Sequence, residues 1–459
     1  MSKIQNLYHP QIFHSFFNIL ARYSQPKLNP DLLMRILILG AGGREHALAW
    51  KMRQSSICEK LFIAPGNAGT AQCGINLPFP LTDFEEIKKI CVNEKIDMVV
   101  VGPEEPLVRG IVDFLRLDPR LENLMIIGPT KNAAQLEGSK SFAKEFMQRH
   151  HIPTAGHKEF TITNYEDGVH YLQKHKLPIV LKADGLAAGK GVVICQHHVE
   201  AIAEFELMIQ RAKFGEASKK VVVEEFLDGI ELSVFVLTDG KNYILLPEAK
   251  DYKKVGQGDT GLNTGGMGAI SPVPFADDIF IKKVEEKIIK PTIEGLNKDL
   301  LDYQGFIFFG LMKVGNEPYV IEYNCRLGDP ETEVILPRLK NDLVELLQAT
   351  AQKNLQTKKA VMDSRAACTI MAVSGGYPNE HETGFEISGL EEINTEESIL
   401  FHAATKNLEG KILTNGGRIL CVTSFGNTLR EAVETANTEL KNVFFSEIYY
   451  RKDIGFEFI

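Results

Sequence analysis

Along the chain, short apolar runs alternate with amphipathic stretches, and the spacing of the two changes with position. Arg35–Leu39 is an apolar run ending in Gly40-Ala41-Gly42-Gly43. A helical pattern through Ala47, Leu48 and Trp50 follows, which predicts strand, tight loop and helix. Lys60–Ala64, Met98–Val101 and Met125–Ile127 read as further strands, closed by the turns Pro65-Gly66, Gly102-Pro103 and Gly128-Pro129. Strands alternating with helices predict a parallel sheet with its loops at one edge, a first domain running to about residue 136.

The pattern shifts at Pro178. Ile179–Lys182, Gly191–Ile194, Val221–Glu224, Leu232–Val236 and Tyr243–Leu246 are sequential strands with short turns, which predicts antiparallel pairing. A glycine-rich stretch, Gly256–Gly268, precedes a helix and the paired strands Phe306–Val314 and Tyr319–Tyr323. A last unit from about residue 359 carries strands at Cys368–Val373 and Arg418–Val422 and a helix from Thr428. There is no internal repeat and no low-complexity segment.

Composition narrows the class. A chain of 459 residues with 44% hydrophobic content predicts three or four compact units with ordinary cores. The formal charge is −9, and no run of Lys and Arg marks a nucleic-acid footprint, so any phosphate chemistry must gather its positive charge in a cleft. The seven cysteines include no C-x-x-C pair and predict free thiols in a reducing compartment, which we take as cytoplasmic. No apolar stretch reaches the roughly 18 residues of a membrane span. Residues 1–33 hold Tyr8, His9, Phe13, His14, Phe16, Phe17 and a single acid, Asp31, without a continuous apolar segment. They read as an extension, with the folded protein expected to begin near Met34.

Two glycine motifs invite assignments that the residues do not support. Gly40-Ala41-Gly42-Gly43 lacks the third glycine of a dinucleotide fingerprint, because position 45 is Glu45. The second strand ends in Ala64-Pro65-Gly66-Asn67, with no ribose-binding acid, which argues against an NAD oxidoreductase. A helix start that seats a phosphate, or a plain tight turn, remains. Gly185–Lys190 has only Leu186, Ala187 and Ala188 between its glycines and lies between strands, so it is a hairpin tip and not a P-loop. Such a tip could close over a triphosphate through its N–H groups, or be a flexible surface turn.

Four features carry the candidate chemistry: Lys182 at a strand end, Glu224-Glu225-Phe226-Leu227 ending a second strand, Glu231, and Glu322-Tyr323-Asn324-Cys325-Arg326 ending a third. Glu322 and Asn324 are two apart on a strand and share a face, a donor pair suited to Mg²⁺. Arg326 on the same face could hold a phosphoryl group; the alternative is an edge strand with polar residues toward solvent.

Together these features resemble the ATP-grasp ligases, over residues 34–459. Within that superfamily, Gly40–Ala47, Ala64–Thr70, Val101–Leu107, Leu181–Gly191, Asn263–Ala269 and Arg326–Glu331 resemble the phosphoribosylamine–glycine ligase family. The resemblance implies a multidomain α/β and α+β protein. A Rossmann-like parallel-sheet domain would span 34–136. An ATP-grasp core of two sheets clamping ATP would span 137–358, with a mobile subdomain at about 157–227, and a small mixed α/β domain would span 359–459.

It further implies ATP contacts at Lys140, Lys182, Gly189, Lys190, Gly191, Glu224, Glu225, Phe226, Leu227 and Glu231, and Mg²⁺ or Mn²⁺ at Glu322 and Asn324. Catalytic roles would fall to Arg326, Lys182 and Asp251. Substrate contacts would fall to Gly42, Gly43, Arg44, Gly66, Asn67, Glu104, Asn263, Thr264, Gly265, Gly266 and Asp329. The implied reaction joins glycine to 5-phosphoribosylamine through glycyl phosphate in purine biosynthesis, with ATP consumed. The partners are these small molecules, with neither nucleic acid nor membrane, and a transient contact with the preceding pathway enzyme. Gly185–Gly191 and Gly256–Gly268 are the expected lids.

The chain departs from the family pattern at Lys250-Asp251-Tyr252-Lys253-Lys254, where many members read Gln-Asp-His-Lys-Arg, and at Leu262, where many have Pro. The strand before Glu322 offers Met312 and Lys313 where other members of the superfamily carry a further metal-binding acid. A bicarbonate-activating carboxylase of the same superfamily and a non-catalytic nucleotide sensor are the competing readings.

Overall fold

The computed structural model describes residues 33–186 and 191–459. A five-stranded parallel sheet opens the fold in the order β3-β2-β1-β4-β5, formed by β1 (Met34–Gly40), β2 (Cys58–Pro65), β3 (Ile75–Asn76), β4 (Met98–Val101) and β5 (Met125–Ile127). Strand alternation sends Ile36 and Ile38 into one apolar cluster and Leu37 and Leu39 into another, all fully buried. Both faces are therefore covered, as a parallel sheet requires. Helix α1 (Gly43–Arg53) starts directly after the glycine loop, and nearly all of it is buried, including Arg44, Glu45 and Lys51. A helix buried on all sides must be packed between layers; here the layers are the parallel sheet and the end of the chain.

Two antiparallel sheets follow. The strands the sequence predicts to pair after Pro178 divide between them. β6 (His157–Thr161), β7 (Ile179–Ala183), β8 (Val192–Cys195) and β9 (Lys220–Glu225) pair in the order β6-β9-β7-β8. They bury their own small core of Phe160, Leu172, Leu181, Phe205 and Val223 beneath helices at Tyr165–Lys174 and His198–Ile209. β10 (Ile230–Thr238) and β11 (Tyr243–Leu245) instead join β16 (Gly305–Val314) and β17 (Glu317–Asn324) in the order β11-β10-β16-β17. Their inward residues belong to the larger cores. The chain crosses from one sheet to the other through Phe226–Gly229.

The last sheet has the order β12-β15-β18-β22-β19 and draws on two distant stretches. β12 (Lys250–Asp251) and β15 (Gly268–Ser271) come from the middle of the chain; β18 (Ala366–Val373), β19 (Ser398–His402) and β22 (Arg418–Gly426) come from its end. A hairpin of β20 (Thr405–Leu408) and β21 (Lys411–Thr414) projects between them.

The hairpin of β13 (Lys254–Gly256) and β14 (Thr260–Asn263) lies in the stretch expected as a second lid, and it is fastened down. The fully buried Arg451 donates to the Lys254 carbonyl at 3.1 Å and pairs with Asp259 at 2.6 Å. The Gly258 N–H donates to Asp453 at 2.7 Å and the Tyr449 hydroxyl to the Val255 carbonyl at 2.9 Å. Glycine content gave this segment the look of a lid, but contacts with residues some 190 positions later hold it. Among the described residues, no helix is long and apolar enough to cross a membrane.

Candidate functional site: a nucleotide cleft and an adjoining cavity

The first half of the site lies where the two antiparallel sheets face each other. Lys182, on β7, reaches Glu224 on neighbouring β9 at 3.0 Å and donates to the Ile321 carbonyl at 3.0 Å. That carbonyl is available because β17 bulges at Ile321: Gly310 pairs with Glu322 and Leu311 with Val320. One lysine thus stitches the two sheets at the mouth of the cleft. Lys144 also reaches Glu224, at 3.1 Å. Burial alone pushes the Glu224 carboxyl up, but Lys182 and Lys144 outweigh it and hold the group below the usual range. Burial lowers Lys144 to about 8, against the pull of Glu224. Glu224 Oε1 is buried and has no hydrogen-bond donor, an acceptor left free in the cleft.

Sequence reasoning missed Lys144. The signal was present: Ser139 caps helix α2 (Lys140–Arg149) through the Phe142 N–H, and Lys140 and Lys144 lie one turn apart on one face. Lys140 donates to the Gly185 carbonyl at 3.1 Å, at the base of the hairpin tip, and burial lowers its pKa. Of the other ATP assignments, Glu225 accepts from the Gly156 N–H at 2.7 Å, and Phe226 is partly exposed on the crossing segment. Gly191 starts the return from the tip; Gly189 and Lys190 lie outside the described residues.

Glu231, at the start of β10, pairs with Lys253 at 2.7 Å, and this lysine holds its carboxyl below the usual range in spite of burial. Burial pushes Asp251 up, with Lys253 opposing and Glu231 and Glu322 adding to it. The same three acids keep the Lys253 ammonium well above its ordinary value against the effect of burial. Lys253, also missed, is therefore the shared counter-ion of the cleft acids, although its sequence signal was only its place beside Asp251.

At the end of β17 the spacing argument holds geometrically. Asn324 Nδ2 lies 3.5 Å from Glu322 Oε1, and Arg326 Nη2 donates to Asn324 Oδ1 at 3.1 Å. Arg326 is fully engaged: Nε meets Glu104 at 3.2 Å, Nη1 the Leu327 carbonyl at 3.2 Å and Nη2 Glu137 at 2.7 Å. Burial pushes Glu137 up to about 7, while Arg326 draws it down. Glu104 is raised by burial but held below the ordinary range by Arg326 and Arg44. Glu104 thus serves Arg326 and does not line the cavity described next. Among the described residues, no cluster of three His, Cys, Asp or Glu side chains could cage a metal. Glu322 and Asn324 fit a hard cation that takes its remaining ligands from phosphate and water.

The second half of the site is a cavity of about 330 Å³ lined by Ala41, Gly42, Gly66, Asn67, Asp329, Ala403, Ala404, Thr405, Asn415 and Arg418. It joins the first sheet's loops to the last sheet. Gly66 has φ +72°, and a Cβ there would lie 2.3 Å from the Asn76 side chain, so only glycine makes this turn. Asn67 donates to the carbonyls of Ala41 and His402, both at 2.9 Å, tying the two walls together. Arg418 holds Asp329 at 2.8 Å and donates to the carbonyls of Asp329 and Gly265, each at 2.7 Å.

Of the predicted substrate residues, Gly42, Gly66, Asn67 and Asp329 meet here. Arg44 does not: its guanidinium is buried against Glu45 at 2.6 Å and the Leu327 carbonyl at 3.2 Å, and only its N–H turns to Asp329. Gly43 is covered by Glu333. Thr264 donates to the Lys253 carbonyl at 2.8 Å, and the Gly265 N–H donates to the Tyr377 hydroxyl at 3.0 Å. With Asn263 and Gly266, these residues form the strip between cleft and cavity. Arg418, Asn415 and Thr405 went unassigned: Asn415-Gly416-Gly417-Arg418 stands out in the sequence as a turn, but only packing brings it and Thr405 to the first sheet.

The sequence matches phosphoribosylglycinamide synthetase in three consecutive parts: its N domain over residues 34–137, its ATP-grasp (A) domain over 138–332 and its C domain over 367–457. The chain is 46% identical over 431 residues to the phosphoribosylamine–glycine ligase of Escherichia coli K12, covering 93% of this chain and 99% of that one. It is similar in structure to the phosphoribosylamine–glycine ligase of Thermotoga maritima, with a TM-score of 0.79, 34% identity, and coverage of 92% of this chain and 100% of that one. The biotin carboxylase domain of the Hydrogenobacter thermophilus 2-oxoglutarate carboxylase, solved with MgADP and bicarbonate, shares the fold at a TM-score of 0.71 and 16% identity, covering 91% and 92% of the two chains. The parallel-sheet, ATP-grasp and C-terminal parts all match at high coverage, and the chain belongs to the phosphoribosylglycinamide synthetase family of ATP-grasp ligases.

Proposed function

We propose that this chain joins glycine to 5-phosphoribosylamine, giving glycinamide ribonucleotide, ADP and phosphate, as a cytoplasmic step of purine biosynthesis. The observation that carries the reading is the pairing of a lysine-lined cleft between two sheets with a polar cavity, linked through Thr264, which donates to the Lys253 carbonyl, and Gly265, whose carbonyl accepts from Arg418. Lys182, Lys140 and Lys144 supply the positive charge a triphosphate needs, and the free Glu224 Oε1 suits an amino donor such as that of adenine. Glu231 at the strand start suits the ribose hydroxyls. Glu322 and Asn324 would hold Mg²⁺ or Mn²⁺, which would supply charge neutralisation to the triphosphate when bound.

A carboxylate cannot acylate an amine while oxide is its leaving group. Phosphoryl transfer from ATP to glycine replaces that leaving group with phosphate. Arg326, released from Glu104 or Asn324, reaches the transferring group, and Asp251 with Lys253 faces the same space. Phosphoribosylamine then occupies the cavity, with its phosphate at Gly66-Asn67 and Arg418 and its amine toward Asp329. Transient contact with the enzyme that supplies this amine belongs to the same reading.

The test follows one atom. Glycine labelled with heavy oxygen in its carboxylate delivers one label into inorganic phosphate for each product formed. Label in AMP means adenylation, and unlabelled phosphate with ongoing product formation overturns the acyl-phosphate path. Phosphate release stimulated by bicarbonate and not by glycine identifies a carboxylase instead.

A further inference from the structure

Beneath the cavity floor lies an acid that the proposed reaction does not use. Glu333, in the first turn of helix α3 (Glu331–Arg338), is wholly buried, and neither of its carboxyl oxygens meets a protein N–H or hydroxyl donor. Oε1 presses on α1: a Cβ built on Gly43 would lie 2.2 Å from it, and Ala403 of the last sheet stands beside it. Asp329, four residues earlier, presses on the same turn of α1: its Oδ2 accepts the Arg44 N–H at 3.3 Å, and a Cβ built on Gly42 would lie 3.0 Å from it.

Two carboxyl groups packed against one buried helix turn do not readily both ionise. The structure shows which of them keeps the charge. Asp329 has Arg418 at 2.8 Å and the Arg44 N–H at 3.3 Å; Glu333 has neither. We infer that Glu333 is a positioning residue held in its protonated form, donating its hydroxyl to the Asp329 carboxylate so that Asp329 faces the phosphoribosylamine cavity in one fixed orientation and with one negative charge. This inference rests on the assignment of that cavity in the proposed function.

The surroundings agree from every side. Arg44 on α1 and Arg418 on β22 both draw the proton off, and Asp329 resists its loss. Burial dominates and holds the Glu333 carboxyl well above the ordinary range, while Asp329 stays below its own. The Cys421 thiol on β22 also faces Glu333 and is pushed up as well, by burial first and by the two acids after it. A neutral Glu333 has a direct consequence for ligand chemistry. The cavity is to hold a phosphate ester, and a second buried anion under its floor would repel it.

Ionisation of Glu333 as pH rises should therefore weaken phosphoribosylamine binding and leave ATP and glycine unaffected. The experiment compares Glu333→Gln and Glu333→Ala with the unaltered enzyme, each with all three substrates across a pH series. Gln keeps a neutral donor: KM for phosphoribosylamine should stay within about 2-fold, and the alkaline rise in that KM should move to higher pH. Ala removes the donor, and KM for phosphoribosylamine alone should rise about 10-fold, the size of one lost buried hydrogen bond. If Ala does not fold, the pH profile of the Gln variant decides alone. A Gln profile superimposed on the unaltered one overturns the inference, as does an Ala effect spread equally over the three substrates. Failure of the unaltered enzyme to form product from glycine and phosphoribosylamine is a different result, and it overturns the proposed function.

Discussion

The lysine-lined cleft and the cavity we propose for phosphoribosylamine solve opposite electrostatic problems with similar side chains. In the cleft, cations outnumber what the fold needs: Lys144 and Lys182 converge on one buried glutamate, Lys140 reaches the Gly185 carbonyl beside them, and Lys253 serves Glu231, Asp251 and Glu322. In the cavity the charges are matched within the protein, Arg418 to Asp329, with Glu333 and the ring pair His46 and His402 behind them. The cleft is thus set to receive a highly charged ligand with a metal. The cavity is a fixed polar mould, closed by residues from both ends of the chain. One site is tuned by charge and the other by shape, and the two should respond differently to the same kind of damage.

The sharpest break is at the cleft. Glu322→Gln keeps shape and removes a charge, and turnover at saturating substrates should fall about 100-fold or more, the usual cost of lost transition-state charge stabilisation. Thermal stability should change little. Unchanged turnover in saturating Mg²⁺ removes Glu322 from the metal site.

A crossed pair comes next. Arg418→Ala removes the partner of Asp329 and the anchor of Gly265, so KM for phosphoribosylamine should rise about 30-fold with KM for ATP unmoved. Glu231→Ala should do the reverse, raising KM for ATP about 10-fold and sparing phosphoribosylamine. Steady-state kinetics with each substrate varied in turn measures both. Equal effects on all substrates would mean that cleft and cavity are not separable.

Acid should open the cavity side first. Burial, and then His402, lowers His46 to about 3; burial lowers His402 to about 4. His46 accepts the His402 N–H at 2.8 Å, so both rings are neutral where the first and last sheets meet. Folded values below the unfolded 6.5 stabilise the protein fully above that pH, and this contribution is lost as pH falls toward 4 and 3. At pH 5 the loss is on the order of 2 kcal/mol per ring. Melting curves at pH 7 and 5 should show it, and His46→Asn, which retains an acceptor, should reduce the pH dependence. Identical pH slopes in the two proteins would remove His46 as the cause.

The smallest effect is expected at Tyr252, where many family members carry His. Its hydroxyl donates to Glu457 at 2.8 Å, and Lys250 pairs with the same acid at 2.9 Å. Tyr252→Phe should cost about 1 kcal/mol of stability and leave all three KM values in place, because the side chain pins the chain terminus and faces neither cleft nor cavity. A change in kcat would give the residue a role in the chemistry.

Local rules were enough for most elements and for part of the cleft, though not for Lys144 or Lys253. Short apolar runs bounded by turn residues marked β1, β4, β7, β16 and β17, and the two-residue spacing of Glu322 and Asn324 gave their shared face, because strand geometry is written within a few residues. Three of the cleft's contributors lie at the ends of such strands, where a parsed strand already says where its last side chain points.

The sequence by itself settled the family, located most strands and named candidate residues for the nucleotide site. Only the tertiary structure decided the rest. The middle strands β12 and β15 belong to the sheet built by the end of the chain, and Arg451 turns a glycine-rich stretch from a lid into a fixed wall. Arg44 is spent on the fold while Arg418 reaches the cavity, and Glu333 is an acid whose proton is set by a neighbour. Each of these depends on residues far apart in sequence and on how deeply packing buries them. Burial sets the cost of a charge, and no spacing along the chain records it.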